Sequence, residues 1–183
     1  MVKELQRCFI LRQRISFQRY FIMSQYGKEG YKMIVTKYKT CLVRENDFMD
    51  AYNVSIHSPE EIREFCEHYI YGDAIAPDEQ LYVIALNCRR ELIGFSLIGQ
   101  GGLTSASVEP RSVYRFAINA NAAGIILVHN HPGGNAEPSN DDIRATERIV
   151  ECGKILGIKV VDHVIIGDFQ FSSFRALGYV GEN

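Results

Sequence analysis

Apolar positions along this 183-residue chain change period several times, and each change marks an element. From Met33 to Val43, MIVTKYKTCLV is dense in β-branched and aromatic residues and reads as a strand; RENDFMDAYNVSIH then connects onward to His57. At Ser58 the period becomes helical. SPEEIREFCEHYI offers Ser58 as N-cap, Pro59 at the first helical position and Glu61 to complete a capping box, with Ile62, Phe65, Cys66 and Tyr69 on one apolar face. GDAIAPDEQ ends that helix, and LYVIALN and ELIGFSLIG follow as a hairpin around CRR. After the Gly- and Ser-rich GGLTSASVEP, Pro110 opens a second helix with Val113, Phe116, Ala117 and Ala120 on its apolar face.

GIILVHNH is a continuous apolar run, the pattern of a strand buried on both faces. A third helix spans about Asn140 to Leu156, with Ile143, Ile149, Val150 and Leu156 inward and Gly157 as its C-cap. KVVDHVIIG is a further strand, and FQFSSFRALGYV supplies a short final strand and tail. Strands mixed with three helices give an α/β layered fold around one sheet.

The length suits one domain with an appendage. Residues 1–32 form a basic N-terminal appendage, 33–57 a lead-in strand and connection, and 58–181 the main domain. Charge separates these parts. Residues 1–32 carry seven Lys or Arg against two Glu, a net +5, whereas the remaining thirteen bases face twenty acids, a net −7. The body is therefore a poor nucleic-acid surface, and only the leader could bind one. No apolar run reaches the length of a membrane span, and Arg7, Arg12, Arg14 and Arg19 interrupt every apolar patch where a signal peptide would need one. Cys8, Cys41, Cys66, Cys88 and Cys152 are scattered with no C-x-x-C pair, which suits reduced thiols and a cytoplasmic protein.

The chemistry concentrates in LVHNHPGGNAEPSNDD, residues 127–142. In a strand, positions i and i+2 share a face, so His129 and His131 point together and Asn130 points away. Pro132 ends the strand, and Gly133 and Gly134 let the chain reverse toward Ser139 and Asp142 at the start of helix three. Two imidazoles, a carboxylate and an open position form a common catalytic zinc arrangement. The bland alternative is a capped helix, since Ser139-x-x-Asp142 is also a capping box. A nuclease reading of the letters H-N-H fails, because in those enzymes they are dispersed over a ββα hairpin and here they are consecutive.

His129-x-His131, seven residues, Ser139, two residues and Asp142 match the His-x-His-x7-Ser-x2-Asp signature of the JAMM (MPN+) metalloproteases. HNHPGG, NAAGIILVHNHP, PRSVYRFAINANAA and GIKVVDHVIIGD further resemble the bacterial RadC branch, over roughly residues 58–181. The resemblance implies an MPN (JAMM) fold: a mixed β-sheet packed between helices, with cytidine-deaminase-like layering. It implies His129, His131 and Asp142 as ligands of Zn2+, Ser139 as a donor to the oxyanion, and a glutamate near the strand after the first helix as general acid/base. By order of elements that is Glu79, with Asp78, Glu91 and Glu109 as competitors. The pattern often has Ser where Gly133 stands and Thr where Gly102 stands, and the helix-hairpin-helix-like region of longer members is not recognisable here. His163, which by strand alternation shares a face with Val161 and Ile165, is a buried, hydrogen-bonded histidine or a fourth ligand. The expected activity is zinc-dependent peptidase or isopeptidase chemistry on a protein or peptide. The alternatives are a non-catalytic protein-binding module and a DNA-repair-associated accessory protein, as the branch's label suggests.

Overall fold

The computed structural model describes residues 18–20, 35–37, 55–71, 76–101 and 108–181. The chain divides into two compact units, residues 1–47 and 48–183. In the first, β1 (Gln18–Tyr20) pairs antiparallel with β2 (Val35–Lys37), Arg19 opposite Thr36. The rest of the basic leader and of the strand expected over 33–43 lies outside the described residues, as does Gly102.

The second unit holds α1 (Pro59–Cys66), β3 (Gln80–Leu86), β4 (Leu92–Gln100), α2 (Pro110–Asn119), β5 (Gly124–Asn130), α3 (Asn140–Leu156), β6 (Lys159–Gly167) and β7 (Gln170–Ser173). Five strands form one sheet in the order β4-β3-β5-β6-β7, antiparallel except for the parallel β5–β6 pair that α3 connects. Alternation divides β5 between two cores. Ile125 and Leu127 pack with Val113 and Tyr114 of α2 and Ile149 of α3; Ile126 and Val128 pack with Ile62 and Phe65 of α1. Helices thus cover both faces, which is why all seven residues of β5 are buried. Among the described residues, no helix is long and apolar enough to cross a membrane.

The caps form as the sequence predicts. Ser58 accepts from the Glu61 amide while Glu61 reaches back to the Ser58 amide, and Gly157 closes α3 in the left-handed region at φ 69°. Three details differ from expectation. The first helix changes after Cys66 to a wider π-type turn over Glu67–Tyr71. Leu156, expected inward, is 46% exposed, because the chain turns back after Gly157 and the amide of Ile158 bonds Gly153 O, so that Ile158 covers the core instead. Val161, expected to share a face with His163, packs on the α1 side. A bulge puts one extra β6 residue between the pairs Ile125–Val160 and Ile126–Asp162, which shifts the alternation.

The loop after β5 is held against the end of β6. Gly134 O accepts from the Asp168 amide at 2.9 Å and from Gln170 Nε2 at 2.9 Å, and a Cβ on Gly167 would lie 2.3 Å from that same carbonyl. Gly133 has open space where its Cβ would be. Gly167→Ala should therefore cost about 1–3 kcal/mol by forcing the loop off the strand, whereas Gly133→Ala should change stability by less than about 0.5 kcal/mol. Denaturant midpoints of the two variants check this; equal midpoints would contradict it.

Candidate metal centre

β5 and α3 bring the expected ligands together. His129 Nε2 and His131 Nε2 lie 3.0 Å apart, with Asp142 Oδ1 3.3 Å from the first and Asp142 Oδ2 3.6 Å from the second. Glu79, one residue before β3, has a carboxylate oxygen in the same cluster; the four donor atoms all lie within 4.8 Å of one another. The competing acids do not join it. Glu91 bonds Asn87 and Arg89 at the far end of the β3–β4 hairpin, about 20 Å along the strand from Glu79. Glu109 is the exposed residue preceding α2, and Asp78 accepts from Gln100 Nε2 at 3.2 Å.

The outer nitrogens decide what the inner ones offer. Thr146 Oγ1 lies 2.6 Å from Asp142 O, a carbonyl that can only accept, so the threonine proton goes there. The same oxygen then accepts from His163 Nδ1–H at 2.6 Å, which leaves His163 Nε2 as an acceptor for His129 Nδ1–H at 2.7 Å. His129 Nε2 is therefore a bare lone pair. His131 Nδ1 faces Asn135 O at 2.7 Å, again a carbonyl, so it too donates outward and the neutral ring presents a lone pair inward.

Two nitrogen lone pairs and a carboxylate thus converge with separations of 3.0–3.6 Å. A tetrahedral ion about 2.0–2.1 Å from each donor has an edge of about 3.3 Å. The donor set fits a metal ion. A proton can take a cation's place only in part: the hydrogen bond from His131 to Asp142 raises the His131 pKa against the effect of burial. Burial alone would raise the Asp142 pKa, but the close imidazoles of His129 and His131 and the hydrogen bond from Ser139 hold it far below the usual carboxylate range. His163 is pushed well down, by burial first and by the neighbouring His129 next, so it stays neutral.

Ser139 is the N-cap of α3, and its hydroxyl donates to Asp142 Oδ2 at 2.6 Å while accepting the Asp142 amide at 3.2 Å. Capping and ligand orientation are one arrangement here, not alternatives. His163 lies behind His129, stacked on Phe174 at 4.5 Å, outside the donor cluster. Sequence reasoning missed Thr146 and Asn130. Thr146 falls on the buried stripe Asp142, Ala145, Thr146, Ile149 of α3, one turn beyond Asp142, a position readable from helical periodicity once Asp142 is assigned.

Comparison with known proteins gives one family model and a set of curated relatives. The model of the RadC-like JAB domain matches residues 56–179. A UPF0758 protein of Caldanaerobacter subterraneus subsp. tengcongensis is 44% identical over 128 residues, 69% of this chain and 53% of that protein. A UPF0758 protein of Bacillus cereus is 41% identical over 127 residues, 69% of this chain and 55% of its own length, and one from Bacillus anthracis gives the same figures. The chain spans about half the length of the curated relatives it matches.

Thr146→Val keeps the side chain's shape and removes the group that orients His163. Metal affinity should fall by about 10- to 100-fold, the usual effect of losing an outer hydrogen bond to a ligand. Competition with a chromophoric chelator measures it, and unchanged affinity would refute the orientation argument.

Proposed function

The chain belongs to the RadC family, with a JAB-type domain over residues 56–179, and on that premise we propose that it is a zinc-dependent hydrolase of peptide or isopeptide bonds. The observation that carries this reading is the cluster of Glu79, His129, His131 and Asp142. His129, His131 and Asp142 hold the ion; two imidazoles with one carboxylate and an open position are characteristic of catalytic zinc. When bound, zinc supplies Lewis acidity, making water easier to deprotonate and an amide carbonyl easier to attack.

Glu79 is the proton carrier. It accepts the proton that water loses as its oxygen bonds to the amide carbon, and returns it to the nitrogen as the C–N bond breaks. Ser139 donates to the oxyanion. With Asp142 engaged as a ligand, its hydrogen bond from Ser139 would weaken, and the hydroxyl of this exposed residue would be able to turn its proton to the substrate.

A peptide substrate suits the sheet. β4 is an outer strand of the described sheet, and its end lies beside the glutamate: Gln100 pairs with Gln80, and the Gly101 amide bonds Glu79 O at 2.8 Å. An extended chain added along β4 would run toward Glu79 with its backbone held by ladder bonds. Residues 102–107, which belong to the same expected edge, lie outside the described residues. The acidic body makes nucleic acid a poor ligand except through the leader, and the unpaired Cys66, Cys88 and Cys152 suit a cytoplasmic setting.

Purified protein should hold about one zinc per chain and cleave members of an unbiased peptide and isopeptide library. His129→Ala and Asp142→Ala should lose the metal. Glu79→Gln should keep it and lose about two to four orders of magnitude in turnover. Full metal retention by both ligand variants, or normal turnover by Glu79→Gln, would overturn the assignments.

A further inference from the structure

Between the two histidines stands a residue that the reaction as described leaves unused. Asn130 is completely buried and its side chain lies on the face opposite His129 and His131, where it makes three hydrogen bonds. Its Oδ1 accepts from the Gln80 amide at 2.8 Å; its Nδ2 donates to Asp78 O at 3.1 Å and to Ala76 O at 3.0 Å. The Asp78 carbonyl belongs to the peptide group before Glu79, and the Gln80 amide to the peptide group after it. One carboxamide therefore grips both peptide planes that flank the Glu79 Cα. With those planes held, the φ and ψ of Glu79 are held, and with them the direction of its Cα–Cβ bond.

From this we infer that Asn130 is the positioning residue for Glu79: it aims the glutamate at the cluster from the far side of the sheet. The inference rests on the proposed role of Glu79 as proton carrier. Its chemistry is specific to a carboxamide. Threonine or serine, with a single O–H, could donate to only one of the two carbonyls even while accepting from the N–H, and aspartate would set a carboxylate oxygen against two carbonyls. Because Asn130 is contiguous in sequence with both histidines, a single strand end presents the two imidazoles from one face and aims the base by means of the other.

Asn130→Thr is the variant of choice, since threonine suits a buried strand and keeps one hydroxyl. Zinc content should stay at about one per chain and KM within about twofold, while kcat falls about 10- to 100-fold, as for other outer residues that orient a working group. In a Glu79→Gln background the same substitution should change kcat less than about twofold, because an aim with nothing to aim costs nothing. A purely structural role would instead lower both backgrounds equally. Independently of activity, amide exchange at Gln80 in the zinc-loaded protein should accelerate at least about tenfold while that of Val128, within the β3–β5 ladder, is unchanged. Unaltered Gln80 exchange, or an equal kcat loss in both backgrounds, would overturn the inference. Failure of both Asn130→Thr and Asn130→Ser to fold would also overturn it, by making Asn130 a core residue first. If the unsubstituted protein cleaves nothing but Gln80 exchange responds as expected, the proposed reaction fails while the grip of Asn130 on this segment stands.

Discussion

The centre depends first on one hydrogen bond that a helix carbonyl accepts. Asp142 O, inside the first turn of α3, accepts from the Thr146 hydroxyl, and at the end of a run of three hydrogen bonds His129 Nε2 is left with a bare lone pair. The chain works because burial keeps His163 neutral: a protonated His163 would donate toward His129 Nδ1 and reverse the sequence. Asp142 takes part twice, with its backbone carbonyl at the start of the relay and its carboxylate at the end. A helix terminus capped by Ser139 thus sets both the tautomer of His129 and the orientation of the Asp142 carboxylate.

The sheet supplies the rest of the geometry. A parallel β5–β6 pair joined by α3 places the start of that helix beside the end of β5, so that Asp142 meets the two histidines without a long loop. The reversal between them is short because Gly134 packs against Gly167 with no side chain intervening. On the other side of β5, β3 runs antiparallel with Leu81 opposite His129, which puts Glu79, the residue just before β3, at the same end of the sheet. Four donors from three segments meet at one end because strand register leaves them nowhere else to go.

Much of this was legible in the sequence, and for identifiable reasons. Period-2 alternation made His129 and His131 neighbours, and the capping pattern at Ser139 fixed where α3 begins, hence where Asp142 stands. Glu79 could be reached only through the order of elements, since an acid before a strand has no local signature; the structure separates it from Glu91 by placing the latter at the opposite end of the hairpin. The place of Thr146 one turn beyond Asp142 was readable, but its role and that of Asn130 were not. Their importance comes from partners 50 to 54 and 17 residues away, pairings that only the folded chain brings about. The bulge in β6 was hidden for a related reason: an extra residue leaves no mark in a run buried on both faces from Val160 to Gly167, and strict alternation therefore misplaced Val161.

Three protein donors, two imidazole nitrogens and one carboxylate oxygen, are proposed to surround a metal ion and leave one position to solvent. X-ray absorption at the zinc edge of the loaded protein tests this. The expected spectrum is that of a four-coordinate ion with about two imidazoles at about 2.0 Å, oxygen scatterers completing the sphere, no sulfur, and one oxygen that a small anion displaces. A sulfur shell, a third imidazole, or a closed sphere that no anion can enter would contradict it.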